Sequence, residues 1–179
     1  MMVDSVLVHV CCAHCAAYTL SFWQKQGYRS EALWYNPNIH PEEEHLLRLQ
    51  ATKKLLEEMR VPLTVYPSYQ PSEYFDALNG NQVQRCLNCF RLRLGKTAQI
   101  ALENGFGGFS STLLISPHQE HDNILAMGDE LGLERGIAFL YSDLRRRYSD
   151  SRVMTKPRDL YRQNYCGCIY SKQERDITG

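Results

Sequence analysis

The stretch VDSVLVHVCCAHC, residues 3–15, decides how this chain is read. Its first eight residues, Val3–Val10, are apolar and β-branched and end at a cysteine loop, which predicts a buried strand of a parallel sheet. Ala13–Gln26 then reads as a helix stopped by Gly27. A second short strand is expected at Glu31–Tyr35, broken by Asn36-Pro-Asn. Pro41 and three glutamates open a long helix to about Met59, with the residue types that helix N-termini favour. Val61–Tyr66 reads as a third strand. This strand–helix–strand–helix–strand order implies right-handed crossovers and a parallel sheet.

Downstream, Pro67–Gln84 is polar and tyrosine-rich, with helical potential around Ser72–Leu78. Cys86–Asn104 reads as a helix carrying CLNC at its start and ended by Gly105. Phe109–Ser116 reads as a strand, His118–Leu131 as a helix and Ile137–Asp143 as a fifth strand. Leu144–Lys156 reads as a basic loop, and Asp159–Gly179 holds a short helix and the last cysteines. The expected architecture is α/β: a Rossmann-like parallel sheet of about five strands, helices on both faces, and a site at the carboxyl ends of the strands. Residues 1–179 are expected to form one domain, with 144–179 a basic, cysteine-containing extension packed over the site.

Composition narrows the functional classes. The 179 residues are 44% hydrophobic and 22% charged, ordinary values for a globular protein with a real core. Lys plus Arg and Asp plus Glu both number 20, so no global field draws nucleic acid or membrane. No run approaches the ~18 apolar residues of a membrane-spanning helix. Met1–Val10 lacks the features of a signal peptide. A cytoplasmic protein without a membrane partner is expected.

Seven cysteines are the unusual count. An odd number in a reducing compartment argues against a disulfide framework. They fall in three groups: Cys11, Cys12 and Cys15; Cys86 and Cys89; Cys166 and Cys168. Such spacings let neighbouring thiolates share one metal ion or cluster, and helix N–H groups at the first group stabilise thiolates. A structural zinc takes four ligands and so does a [4Fe–4S] cluster, so seven suggests four plus three. Adjacent Cys11 and Cys12 are expected to point apart and serve two neighbouring sites. Two zinc ions are the competing reading.

Other residues carry weaker signals. His9 reads as a hydrogen-bonded core histidine, and His14 as a ligand, a proton donor or a solvent-facing residue. His118 and His121, after Pro117, are placed to line the open end of the sheet. The acidic run Glu42–Glu44 reads as a solvated helix start. Gly105-Phe-Gly-Gly follows a helix and enters a strand, the wrong order for a dinucleotide loop. From 144 to 165 there are seven Lys/Arg against two acids, net +5, with Tyr148, Tyr161 and Tyr165 interleaved. This is either a solvated loop or a surface that guides RNA to the metals.

The segments HVCCAHC (9–15), YNPNIHPEEE (35–44), RCLNCFRLRL (85–94), STLLISPHQEH (111–121) and LYRQNYCGCIYSKQER (160–175) together resemble the cobalamin-independent epoxyqueuosine reductase family. The resemblance implies reduction of epoxyqueuosine to queuosine at the wobble position of tRNAs for Asp, Asn, His and Tyr. It also implies a [4Fe–4S] cluster beside one additional iron, and an external one-electron donor. Cys11, Cys12, Cys86, Cys89, Cys166 and Cys168 match the family's metal-binding cysteines. Cys15 falls where some relatives carry Asp, and His14 departs from an expected Pro. The preferred division puts Cys12, Cys86, Cys89 and Cys168 on the cluster and Cys11, Cys15 and Cys166 on the lone metal. His14, His118, Tyr35 and His40 are the candidate proton donors. Arg145, Arg146, Arg147, Lys156, Arg158 and Arg162 are the candidate tRNA contacts.

Two other functions compete. A PP-loop-like tRNA sulfur-transfer enzyme shares the strand order, but SGGxDS should then follow the first strand, where HVCCAHC stands. A non-catalytic, zinc-stabilised RNA-binding module is the other.

Overall fold

The computed structural model describes residues 4–179, so Val3 and the two methionines before it lie outside the described residues. Strand β1 (Ser5–His9) is buried at every position. Side chains alternate across it: Val6 and Val8 face one helical layer, Leu7 the other. That two-sided burial makes it the central strand. Strands β2 (Arg29–Trp34), β3 (Leu63–Val65), β4 (Gly108–Ser111) and β5 (Ala138–Phe139) complete a five-stranded sheet in the order β3-β2-β1-β4-β5. Every pairing is parallel.

Helices α1 (Ala13–Lys25) and α2 (Glu42–Met59) cover one face, burying Leu20, Trp23, Leu55 and Leu56 against Val6, Val8 and Trp34. Helices α4 (Arg85–Glu103) and α5 (His121–Arg135) cover the other with Phe90, Leu94, Ile124 and Leu131. Helix α3 (Pro71–Leu78) lies against α4, and α6 (Tyr148–Thr155) against α1. Helix α7 (Ile169–Thr178) follows the last cysteines. The strand order reverses between β1 and β4, and ligands of open α/β sheets bind in the crevice at such a point.

Several expected boundaries change. The strand expected over Phe109–Ser116 ends at Ser111, and Thr112–Ile115 forms a 3₁₀ turn. The Ser111 hydroxyl accepts the Leu113 N–H at 3.2 Å, which turns the chain out of the sheet. The helix expected over His118–Leu131 runs from His121 to Arg135, ended by Gly136 at φ +67°. The strand expected over Ile137–Asp143 shrinks to Ala138–Phe139; the Ser110 side chain, donating at 2.8 Å, takes the Leu140 carbonyl. The basic loop over 144–156 is instead a 3₁₀ turn, Arg145–Arg147, leading into α6. Ser151 and Thr155 of α6, both buried, pack on α1; the Tyr18 N–H donates to Ser151 Oγ at 3.0 Å.

His9 is the hydrogen-bonded core histidine expected of it. Its Nε2–H donates to the Tyr35 carbonyl and Asn36 Oδ1, both at 3.1 Å, leaving Nδ1 to accept from Ser111. His45 is likewise buried neutral: its Nε2 accepts from Trp34 Nε1 at 2.9 Å, and burial, aided by Arg48, holds its pKa down to about 4. An unfolded histidine titrates near ~6.5, so the unfolded chain gains a proton that the folded chain refuses. Stability is therefore expected to fall as pH drops below about 6.5, the His45 share being fully lost near pH 4. Thermal melts from pH 7 to 4.5 should fall less steeply in His45→Gln than in wild type. Parallel slopes in the two proteins would contradict this.

Candidate metal centre

The carboxyl end of β1 delivers Cys11, Cys12 and Cys15 into the crevice beside β4. Cys12 caps α1 in an extended conformation, and its Sγ accepts the Cys15 N–H at 3.3 Å. This turns its sulfur towards its neighbours: the sulfurs of Cys11, Cys12 and Cys15 all lie within 4.8 Å of one another. Cys11 and Cys12 therefore do not diverge, contrary to the expectation from an extended pair. Two thiolates on one ion at ~2.3 Å each are at most about 4.6 Å apart, so a triad within 4.8 Å is close to the spacing that one ion requires. Among the described residues no other group of three ligating side chains is that tight.

The remaining four cysteines come from α4 and the segment before α7. Cys86 is half-buried at the start of α4, and Cys89 is buried with Cys168 beneath Tyr74. Cys168 caps α7 as Cys12 caps α1, its sulfur accepting the Ser171 N–H at 3.4 Å. Exposed Cys166 accepts from Gln119 Nε2 at 3.5 Å. Gly167, between the last two, has φ +149°, and a Cβ there would lie 3.2 Å from Ile39, so only glycine sits without strain. Cys11, Cys15, Cys86, Cys166 and Cys168 line one cavity of about 500 Å³, with Cys12 and Cys89 buried close by.

The donor chemistry of this chain suits a thiolate-bound metal. Hydrogen bonds from Cys12 and Cys15 hold the Cys11 thiol well below its ordinary pKa. The same contact with Cys11 pushes Cys12 up to about 12, and Cys15 is raised as well. Only a nearby cation lets three such thiolates coexist. Burial raises Cys89 to about 12 and also raises Cys86. Beneath them lies Arg93, 2% exposed, whose Nε donates to the Cys89 carbonyl at 3.3 Å. Among the described residues no carboxylate forms an ion pair with it; the acidic groups that face it are the side chains of Cys89, Cys166 and Cys11. A buried guanidinium needs a counter-charge, which these cysteines would supply as metal-bound thiolates.

The C-terminal cysteines are held by a network that the sequence reading missed. Arg48 is 2% exposed, pairs with Glu44 at 2.7 Å, and donates to the Cys166 carbonyl at 2.9 Å and the Tyr165 carbonyl at 3.1 Å. Glu44 also accepts from Tyr161, so this part of the acidic run is a buried anchor rather than a solvated helix start. Arg48 shares the inward face of α2 with Thr52, Leu55 and Leu56, a visible signal: a charged residue on an apolar stripe. Arg93 stands likewise one turn beyond Cys89 on the buried side of α4.

Of the four candidate proton donors, His118 alone lines the cavity, exposed and edge-on to Tyr148 at 6.0 Å. Tyr35 is buried elsewhere and donates to Glu73. His40 Nδ1 accepts the Ile169 N–H at 3.1 Å while Nε2–H donates to the Pro37 carbonyl at 2.9 Å, so its ring brackets the Cys168 segment. His14 is buried against Thr155, at 2.5 Å, and lines a different recess. His121 bonds Tyr141 Oη at 2.9 Å. The sequence also left unnamed Glu120, which lines the cavity and helps to raise the Cys86 thiol.

Of the basic residues, Arg145, Arg147 and Arg158 are paired with Asp143, Asp150 and Glu58. Arg146, Lys156 and Arg162 are exposed.

A five-stranded Rossmann-like sheet with seven free cysteines gathered about its switch point defines an α/β protein whose clustered thiols have the chemistry to bind metal. Comparison with known proteins sharpens that class. The family model described as "Epoxyqueuosine reductase QueH" matches residues 6–174, and the chain belongs to this family of oxidoreductases. It is 52% identical to the Epoxyqueuosine reductase QueH of Dehalococcoides mccartyi, over 97% of this chain and 96% of that one. The proteins of that name from Streptococcus pyogenes and Thermotoga maritima are 36% and 32% identical, covering 97% and 96% of this chain and 72% and 92% of theirs. Among solved structures, the U34-tRNA thiolase NcsA from Methanococcus maripaludis with its [4Fe-4S] cluster shares the fold. Its TM-score is 0.58 at 14% identity, over 99% of this chain and 66% of that one. A predicted subunit of tRNA methyltransferase from Methanocaldococcus jannaschii gives 0.57 at 10%, over 84% and 74%. Both likenesses concern the fold alone.

Proposed function

We propose that this protein reduces epoxyqueuosine to queuosine in tRNA, holding a [4Fe–4S] cluster on Cys86, Cys89, Cys166 and Cys168 and one further iron on Cys11, Cys12 and Cys15. The observation that carries this reading is the gathering of all seven cysteines about the switch point, three of them with sulfurs within 4.8 Å of one another. This division moves Cys12 to the lone metal and Cys166 to the cluster, against the sequence-based preference. Residues 1–179 act as one α/β metalloenzyme domain, with 144–179 folded over the site.

Opening the epoxide to an alkene consumes two electrons and two protons and releases water. When bound, the metals supply one-electron transfer and a Lewis acid for oxygen; the electrons come from an external donor. The chain supplies the rest. The His118 ring and the Glu120 carboxyl group stand at the cavity, where each, once protonated from solvent, can give that proton to the departing oxygen. Gln119 orients Cys166, and Arg48 and His40 fix the backbone on either side of the last cysteines. Arg146, Lys156 and Arg162, with the paired Arg145, Arg147 and Arg158, lie along the segment that meets the RNA.

The test is direct. Protein purified without oxygen should be brown and carry about five irons per chain. After chemical reduction it should convert epoxyqueuosine in tRNA to queuosine, read by mass analysis of the released nucleosides. A colourless zinc protein that leaves the nucleoside unchanged would sink the reading in favour of the RNA-binding module.

A further inference from the structure

Beside the cysteine-lined cavity lies a second recess of about 630 Å³, and Tyr148 lines both. Arg152, Lys156 and Arg162 line this recess, against one carboxylate, Asp159. All three cations are exposed. The ion pairs of this segment engage Arg145, Arg147, Arg158, Lys172 and Arg175 and leave these three without one among the described residues. The Arg152 guanidinium lies over the Tyr148 ring at 6.0 Å, against the wall common to the two spaces. Val153 and Leu160 add apolar surface. His14, buried, also lines it: Nδ1 is taken by Thr155, and Nε2 has no hydrogen-bond partner of proper geometry, although the Tyr161 carbonyl lies near the ring.

Uncompensated cations beside an aromatic ring and apolar surface are the makings of a site for a nucleotide of single-stranded RNA. The cations neutralise the phosphodiester and the ring and apolar wall take the base. We infer that this recess is an RNA subsite, holding the phosphate and base of a nucleotide next to the one that enters the cysteine-lined cavity, with Tyr148 dividing them. This rests on the tRNA reductase reading above. It assigns the principal phosphate contacts to Arg152, Lys156 and Arg162 rather than to the largely paired Arg145–Arg147 run.

The probe is an unmodified anticodon stem–loop RNA of the tyrosine tRNA, its affinity measured at several salt concentrations. Arg152→Gln, Lys156→Gln and Arg162→Gln combined should weaken binding at least about tenfold at low salt. The combination should also flatten the slope of log affinity on log salt by about two, at roughly 0.7 per single-strand phosphate contact. Lys156→Arg should bind as wild type. Replacing Arg145, Arg146 and Arg147 together with Gln should cost less than the recess triple. Iron content and melting temperature, taken on the same samples, should not move, since these side chains are exposed and ligate nothing. If wild type binds the RNA and the recess triple matches it in affinity and slope, the subsite is overturned and the reductase reading stands. If metal-loaded wild type shows no salt-dependent binding to the RNA, the subsite falls, and the reductase reading falls with it only if the same protein also leaves epoxyqueuosine in tRNA unchanged.

Discussion

Cys12→Ser is expected to remove one metal from the protein, spare the other and abolish turnover. Its sulfur lies within 4.8 Å of those of Cys11 and Cys15 and caps α1, so the loss should fall on the three-thiol site. On the proposed division, in which Cys86, Cys89, Cys166 and Cys168 hold the cluster, its absorbance should survive. Cys168→Ser should do the opposite, bleaching the visible spectrum while one iron remains. Both variants should fall to background activity, because each removes one of the two groups the chemistry needs. Iron counts and low-temperature magnetic spectra on the two proteins separate the sites. Loss of the cluster in Cys12→Ser would restore the division expected from sequence, with Cys11 and Cys12 serving different metals.

Arg48→Ala carries the second large effect, without touching a ligand side chain. It leaves Glu44 buried without its partner and frees the carbonyls of Tyr165 and Cys166. Breaking a buried pair from one side costs about 3–5 kcal/mol, a large part of a domain's stability. The expected outcome is a lower melting temperature, rapid amide exchange over 160–170, and a protein that assembles the three-thiol site but not the cluster. Arg48→Lys should rescue only in part, since an ammonium cannot reproduce the fork that binds Glu44 and two carbonyls together. Wild-type exchange in this segment and full iron in Arg48→Ala would show that Arg48 is ordinary packing.

Where apolar periodicity carries the signal, sequence and structure agree. Val6, Leu7 and Val8 read as a strand buried on both faces, and they are the centre of the sheet. The three cysteine groups read as two neighbouring metal sites at the open end of the sheet, and they line one cavity there or lie beside it. The misreadings share a cause: polar side chains there do work that composition assigns to apolar ones. Ser111 ends a strand with its own hydroxyl in a run that reads as continuous β structure. Ser151 and Thr155 seat α6 on α1, so the helix shows little apolar stripe and reads as a loop. The direction of Cys12 was hidden for a different reason. It depends on a sulfur accepting an N–H at a helix start, a detail below the resolution of residue spacing.

The order of the cysteines along the chain has a consequence for biosynthesis. The first three are adjacent in sequence and need only the turn from β1 into α1 to converge. The other four wait for the far end: Cys168 lies 79 positions after Cys89. At about 5–20 residues per second, a ribosome leaves Cys86 and Cys89 without their partners for roughly 4–16 s. During that interval the nascent protein offers these thiols to any oxidant or stray ion. On the proposed division, a cluster could be delivered only to the finished chain, whereas the three thiols of the lone ion are close together in sequence from the start of synthesis.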